Sequence, residues 1–341
     1  MKKLYTLSIA LLFAVSAFAQ QALWGGSQIV SPEINQDNSV TFRLHAPKAV
    51  KVQVTGDFLP TQKVETPFGS YDAPGYADLT EKDGIWEYTT APLGPELYSY
   101  SFIVDGLTIR DPSNVHMIRD VASVTNVFII GGGRSDLYKV NDVPHGTVSK
   151  VWYDSPTLGT DRRMTVYTPA GYEQNRKQKY PVFYLLHGAG GDEEAWMDLG
   201  RTAQILDNLI AQGKAEPMIV VMTNGNAGEC AAPGQCPEGF ERIPDMFDYV
   251  GLFSAAARFH DSSDCPVYQN EKAQIDAQFA KNPALYWIAI GDADFLYEEN
   301  VNLRKYLDEK GYPYEYVESD GGHIWRNWRI YLTEFVPKLF K

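Results

Sequence analysis

"YPVFYLLHGAGGDEEAW" (residues 180–196) carries an unbroken apolar run that ends in a glycine-rich turn. A run such as Pro181–Leu186 is what a parallel strand buried on both faces requires, because helices cover both sides of such a sheet. The glycines after it let backbone N–H groups turn inward at the carboxyl end of the strand, where open α/β sheets hold their ligands. Downstream the alternation continues. "RTAQILDNLIAQGK" (201–214) reads as a helix with Ala203, Leu206 and Ile210 on one stripe. "MIVVMT" (218–223), "DYVGLF" (248–253) and "LYWIAI" (285–290) read as central strands, "EENVNLRKYLDEKG" (298–311) as a helix closed by Gly311, and "YEYVE" (314–318) as a late strand. Strands alternating with helices predict a doubly wound α/β sheet.

Upstream of this block the pattern is different. "SVTFRLHAPKAVKVQVTGDF" (39–58) and "DGIWEYTTAPLGPELYSYSFIVDGLTIRDPSN" (83–114) give short alternating strands punctuated by Gly and Pro. Such spacing predicts an immunoglobulin-like sandwich over about 27–130. Trp86 falls in an alternating strand and reads as core rather than as a sugar platform. "IIGGGRSDLYKVNDVPHGT" (129–147) is a Gly-rich polar join, which sets the domain boundary near residue 138, with 20–138 as the β domain and 139–341 as the α/β domain. At the N-terminus, "MKK" precedes a short apolar run ending in Ala17-Phe18-Ala19, so residues 1–19 read as a secretory signal peptide. The expected location is therefore secreted or periplasmic, with no membrane insertion once the signal is cleaved.

Net charge is −13, without basic runs, which argues against nucleic acid and anionic membrane surfaces as partners. Aromatic residues make up 13%, a level that suits carbohydrate contact and an aromatic-rich β domain equally. Of the cysteines, Cys230 and Cys236 could close a small disulfide loop, which would leave Cys265 free. No CxxC pair or histidine cluster accompanies them, so neither a zinc site nor any other metal is expected.

Two further loops fall at strand ends. "IGDADF" (290–295) offers Asp292 or Asp294, and "ESDGGHIW" (318–325) offers His323, which lies 29 residues after Asp294. That separation leaves room for one helix and one strand, so both side chains can reach the same rim. Together they form the acid–histidine half of a Ser…Asp…His relay. In it the imidazole takes the nucleophile's proton and the carboxylate fixes its tautomer. The loop His187-Gly188-Ala189-Gly190 would supply an oxyanion-hole N–H, with His187 shaping the loop rather than acting as a base. Trp196, Trp325 and Trp328 could line an acyl or sugar cleft, or belong to the core.

These motifs carry two resemblances. "DGIWEYT", "ELYSYSFIVDG" and "DPSN" resemble the early-set, carbohydrate-binding-like module that precedes the catalytic domain of glycogen-branching enzymes and many secreted esterases. "DVPHGTV", "RRMTVYTPAGY", "YPVFYLLHGAGGDEEAW", "DMFDYVGLFSAA" and "VESDGGHIWRNWR" resemble carbohydrate esterase family one, the feruloyl and acetyl-xylan esterases. The resemblance implies an α/β-hydrolase fold without metal or cofactor. It places the acid at Asp294, the base at His323 and the oxyanion loop at His187–Gly190. The implied substrates are acyl esters on plant cell-wall polysaccharide or its oligosaccharides. A noncatalytic glycan-binding protein and an esterase acting on siderophore esters are the alternatives.

The chain departs from that family at one place. No serine occurs between Ser155 and Ser254. The nucleophile elbow belongs between "NGNAG" and "FDYVG", and only 23 residues, 225–247, lie there. A helix, a strand, an elbow and a second helix need about 35 residues at ordinary lengths. Cys230 has no strand before it and no helix pattern after it. Ser254 follows a strand but lacks the flanking glycines. The expectation is an α/β-hydrolase domain internally truncated near 225–247, without its nucleophile and inactive as it stands.

Overall fold

Asp83-Gly84 and Asp105-Gly106 each reverse the chain in two residues, with φ of 53° and 80° at the first and 48° and 88° at the second. Two consecutive positive φ values define the turn whose twist matches paired strands, and Asp-Gly is among its preferred sequences. In the computed structural model these turns join Thr80–Lys82 to Ile85–Thr89 and Glu96–Val104 to Leu107–Ile109. The structure describes residues 29–66, 69–120, 123–156, 158–175, 177–188, 191–225, 249–256 and 270–341. The chain divides into two compact units, Met1–Leu93 with Tyr100–His116, and Gly94–Ser99 with Met117–Lys341.

The first unit is all antiparallel strands. One sheet runs Glu33–Ile34, Val40–His45, Ile85–Thr89, Thr80–Lys82. In the other, Val52–Gly56 pairs with Tyr76–Asp78 on one side and with Tyr100–Val104 on the other. Alternation turns Val40, Phe42, Leu44, Val52, Val54 and Phe102 inward, all buried. Phe42 and Tyr100 pack with ring centroids 4.8 Å apart. Tyr100 also donates its hydroxyl to the buried Asp111 of the "DPSN" motif at 2.8 Å. That aspartate's acidity is weakened by burial, and it accepts from the hydroxyl of Ser31 as well.

The second unit holds the α/β sheet, which the described residues form as two separate pieces. The first is ordered Thr147–Ser155, Thr160–Thr168, Ile219–Thr223, Val182–Tyr184. Only its last pair is parallel. The second piece is Tyr249–Phe253, Leu285–Gly291, Glu315–Ser319, parallel throughout. The 182–184 strand corrects one expectation. Among the described residues it pairs, parallel as expected, with Ile219–Thr223 alone, and Val182 is 42%, Tyr184 51% and Leu186 52% exposed. Alternation puts these three side chains on one face of the sheet, which the described residues leave open, whereas Phe183 and Leu185 on the other face pack into the core.

Helix Trp325–Phe335 packs against both pieces. The ring of Phe335 lies 6.0 Å from Phe183 of the first piece and 5.6 Å from Phe253 of the second. Gly251 makes room for it, since a Cβ there would stand 2.7 Å from the Phe335 ring. Helix Thr202–Ala211 buries Ala203, Ile205, Leu206 and Leu209 in the same core. Helix Tyr297–Lys310 ends at Gly311, whose φ of 69° is the left-handed C-terminal cap that glycine adopts without a Cβ penalty.

Candidate active site

The strands Leu285–Gly291 and Glu315–Ser319 run side by side, so the loops after them leave the sheet at the same edge. The two loops then bond to each other. Asp292 N–H donates to Ser319 O at 2.9 Å and Ala293 N–H to Gly321 O at 3.0 Å. Gly321 N–H donates back to Asp292 Oδ1 at 2.8 Å. Asn327, fully buried on helix Trp325–Phe335, donates to Asp320 O and Gly322 O at 3.1 and 3.0 Å. These bonds leave the 320–323 turn little freedom and aim His323 at Asp294.

His323 Nδ1 lies 3.1 Å from Asp294 Oδ2 and 3.2 Å from Oδ1. The Asp294 side chain is fully buried and that of His323 is 31% exposed. Burial pushes the Asp294 carboxyl up. The hydrogen bonds from His323 and the Leu296 N–H outweigh it, and the carboxyl ends below the ordinary aspartate range. An anionic acceptor of this kind keeps the imidazole proton on Nδ1 and leaves the Nε2 lone pair free to accept another. No hydrogen bond to Nε2 is present among the described residues. The choice between two aspartates, open in the sequence, is geometric here. Asp294 faces the imidazole, while Asp292 is exposed and holds the Gly321 amide.

Aromatic rings surround the imidazole. Phe295, 73% exposed, lies 4.7 Å from it, and the edge of Trp328 meets it at 4.8 Å. Trp325 packs on Trp328 at 4.8 Å and on Trp196 at 5.1 Å. Trp196 is a core ring rather than a cleft wall. It is 5% exposed, and its indole N–H donates to Leu186 O at 2.9 Å.

His187 shapes its loop through both ring nitrogens. Nε2 accepts the Gly225 N–H at 2.9 Å, which leaves the proton on Nδ1 to donate to Gly188 O at 2.6 Å. A ring with both nitrogens so engaged is a tether between two strand-end loops. The acidic run after the loop is also anchored. Asp192 and Glu194 pair with Arg119, Glu193 and Glu194 with Arg163, and Glu194 with Lys150. Ala189, Gly190, Cys230, Cys236, Cys265, the expected signal peptide over 1–19 and, past Gly225, the interval of the expected nucleophile elbow lie outside the described residues.

Two residues at this site escaped the sequence reading, Asn327 and Phe295. Asn327 had a usable signal, being a polar residue on the buried stripe of "WRNWRIYL" with Tyr331 four positions on. Phe295 had none, because its exposure is a tertiary fact.

Residues 155–243 match an esterase family model described as "Putative esterase". An endo-1,4-beta-xylanase/feruloyl esterase from Xylanibacter ruminicola is 26% identical over 361 residues, covering 91% of this chain and 46% of that protein. Endo-1,4-beta-xylanase Y from Acetivibrio thermocellus is 40% identical over 72 residues, 21% of this chain and 6% of that protein. The chain thus spans less than half the length of either curated relative. Among solved structures, an enterobactin esterase from Shigella flexneri superimposes with a TM-score of 0.53 at 15% identity, covering 89% of this chain and 93% of that one. The fold is that of the α/β-hydrolases, and the family-level resemblance drawn from the motifs is supported.

Proposed function

We propose, from the family-level likeness to esterases, that this chain is the frame of an exported acyl-ester hydrolase whose nucleophile has been lost. The 3.1 Å contact between His323 and Asp294 carries the reading, set against a sequence with no serine from 156 to 253. A buried carboxylate bonded to a part-exposed imidazole at a sheet edge is the base half of acyl transfer. The alignment to the Xylanibacter ruminicola relative runs over 361 residues and this chain has 341, so that relative carries residues this chain lacks. The substrate class that fits is an acyl ester of the feruloyl or acetyl type on plant polysaccharide. The aromatic rings beside His323 offer an apolar seat for such an acyl group.

As it stands the chain does not turn over. An imidazole without its nucleophile retains only the weak acceleration that binding and polarisation supply. The test is turnover of 4-nitrophenyl acetate and methyl ferulate by the full chain. Rates at the level of the buffer blank are expected, and strong turnover would sink the proposal. If turnover were found, its loss in Cys230→Ala or Ser254→Ala would identify the substitute nucleophile. Affinity electrophoresis on xylan reads the glycan-binding alternative, since retention without hydrolysis assigns the frame a binding role.

A further inference from the structure

The strand Thr147–Ser155 is nine residues long and ends the first sheet piece, paired with Thr160–Thr168 alone among the described residues. The register runs unbroken from Thr147 opposite Thr168 to Ser155 opposite Thr160, so no bulge turns the strand away. Its sequence, "TVSKVWYDS", contains neither Pro nor Gly. Among the described residues no partner meets the outward N–H and C=O groups of 148–154. Edge strands are ordinarily blunted by shortness, proline, bulges or like charge, because such a row pairs readily with another chain. The charges here are Lys150 and Asp154, and they are of opposite sign.

Large side chains are exposed on both faces of the strand. Lys150, Trp152 and Asp154 lie on one face, and Ser149, Val151 and Tyr153 on the other. Trp152 is 48% exposed and Val151 36%. The Trp152 ring is held in place. The Arg163 guanidinium lies 5.9 Å from its centroid, and Glu193 and Glu194 fix that guanidinium. An exposed aromatic already held in this way loses little conformational entropy when it is covered.

We propose that this edge pairs with the same edge of a second copy, antiparallel, with Trp152 on the two-fold axis. A two-fold contact has to be self-complementary, and in this register the strand is. Lys150 of each copy faces Asp154 of the other, Val151 faces Tyr153, Ser149 faces Ser155, and the two Trp152 rings meet at the centre. Opposite-charge, aromatic–aliphatic and hydroxyl pairs are the cross-strand combinations that favour pairing. Centring on Lys150 instead sets two lysines against each other. Centring on Val151 or Tyr153 leaves Asp154 against Val148 or Trp152. Asp154 makes no ion pair among the described residues, while Lys150 bonds Glu194 of its own copy and keeps further N–H donors. Both charges of the strand thus find their partners in a second copy of it.

Sedimentation velocity on the full 341-residue chain across a dilution series tests this. A monomer–dimer equilibrium is expected, and a monomer throughout overturns the proposal. Asp154→Lys sets like charge against Lys150 at both ends of the ladder and is expected to weaken association at least about tenfold. Lys150→Asp combined with Asp154→Lys restores opposite charge and is expected to recover the dimer. A dimer indifferent to Asp154→Lys, or one lost in the swap as well, refutes the register. Loss in Tyr184→Lys without loss in Asp154→Lys moves the contact to the other end of the sheet piece and refutes it too. Amide exchange in the wild type gives a readout that needs no variant to fold. Amides of 148–154 that face away from Thr160–Thr168 should gain protection as concentration rises, while those facing it keep theirs. No such gain overturns the proposal.

Discussion

A Cβ on Gly291 would stand 2.0 Å from the carbonyl oxygen of Gly321 and 2.9 Å from the side-chain amide of Asn327. The loop carrying the acid and the loop carrying the histidine therefore meet backbone to backbone. Only a residue without a side chain allows that approach. The φ of 86° at Gly321 places the second glycine in the region that side chains disfavour.

Gly291→Ala is accordingly expected to push the two loops apart. The predicted loss is about 1–3 kcal/mol, the usual range for overpacking, since backbone rather than a flexible side chain must give way. Urea denaturation measures it, and an unchanged midpoint would refute the interlock.

The ionisation of Asp294 predicts how stability varies with acid. Its pKa is lowered in the folded chain, so it contributes stability present above the ordinary value of 3.8 and lost as pH falls through the folded value. Below both values the contribution is gone. Asp294→Asn should be less stable than the wild type at pH 7, and the difference should shrink as pH falls below that ordinary value. Thermal melts from pH 7 down to acid give both curves, and a constant gap would contradict the assignment.

Arg329 and Glu96 form a buried ion pair at 2.9 Å, with side chains 3% and 12% exposed. Arg329 also donates to the carbonyls of Leu199 and Leu97 at 3.0 and 3.1 Å. Glu96→Gln leaves the guanidinium buried against a neutral partner, and the expected cost is about 3–5 kcal/mol. The double variant Glu96→Leu with Arg329→Met should recover much of that loss, because it buries no unpaired charge. Chemical denaturation of the single and double variants settles the comparison.

His187→Ala removes the acceptor of the Gly225 N–H and the donor to Gly188 O. Each bond is worth about 1 kcal/mol net. The sharper readout is local. Hydrogen exchange at the Gly225 amide should accelerate at least tenfold, while amides of the Leu285–Gly291 strand keep their protection.

Much of the fold was legible in the residues because its signals are local. Alternation in "SVTFRLH" and the two Asp-Gly turns specify strands and hairpins whatever packs on them. Gly311 ends its helix because of its own φ. The site was legible as two loops at successive strand ends, since parallel pairing brings those ends to one edge. The choice between Asp292 and Asp294 was not, because both lie in the same loop two residues apart. Bonds to Ser319, Gly321 and Leu296 turn one outward and the other inward. Trp196 was likewise open between cleft and core in the sequence, and its burial and its indole bond to Leu186 O place it in the core.

The sequence by itself determined the element types, the acid and histidine residue types, and the absence of a serine from 156 to 253, since each follows from local pattern or simple inspection. The tertiary structure alone decided which carboxylate meets His323, that one face of the 182–184 strand is exposed among the described residues, and that Trp196 is buried. The physical reason is the same in each case. Burial, edge exposure and hydrogen-bond partnership are properties of what lies across the space around a residue, and the chain order of that residue's neighbours does not contain them.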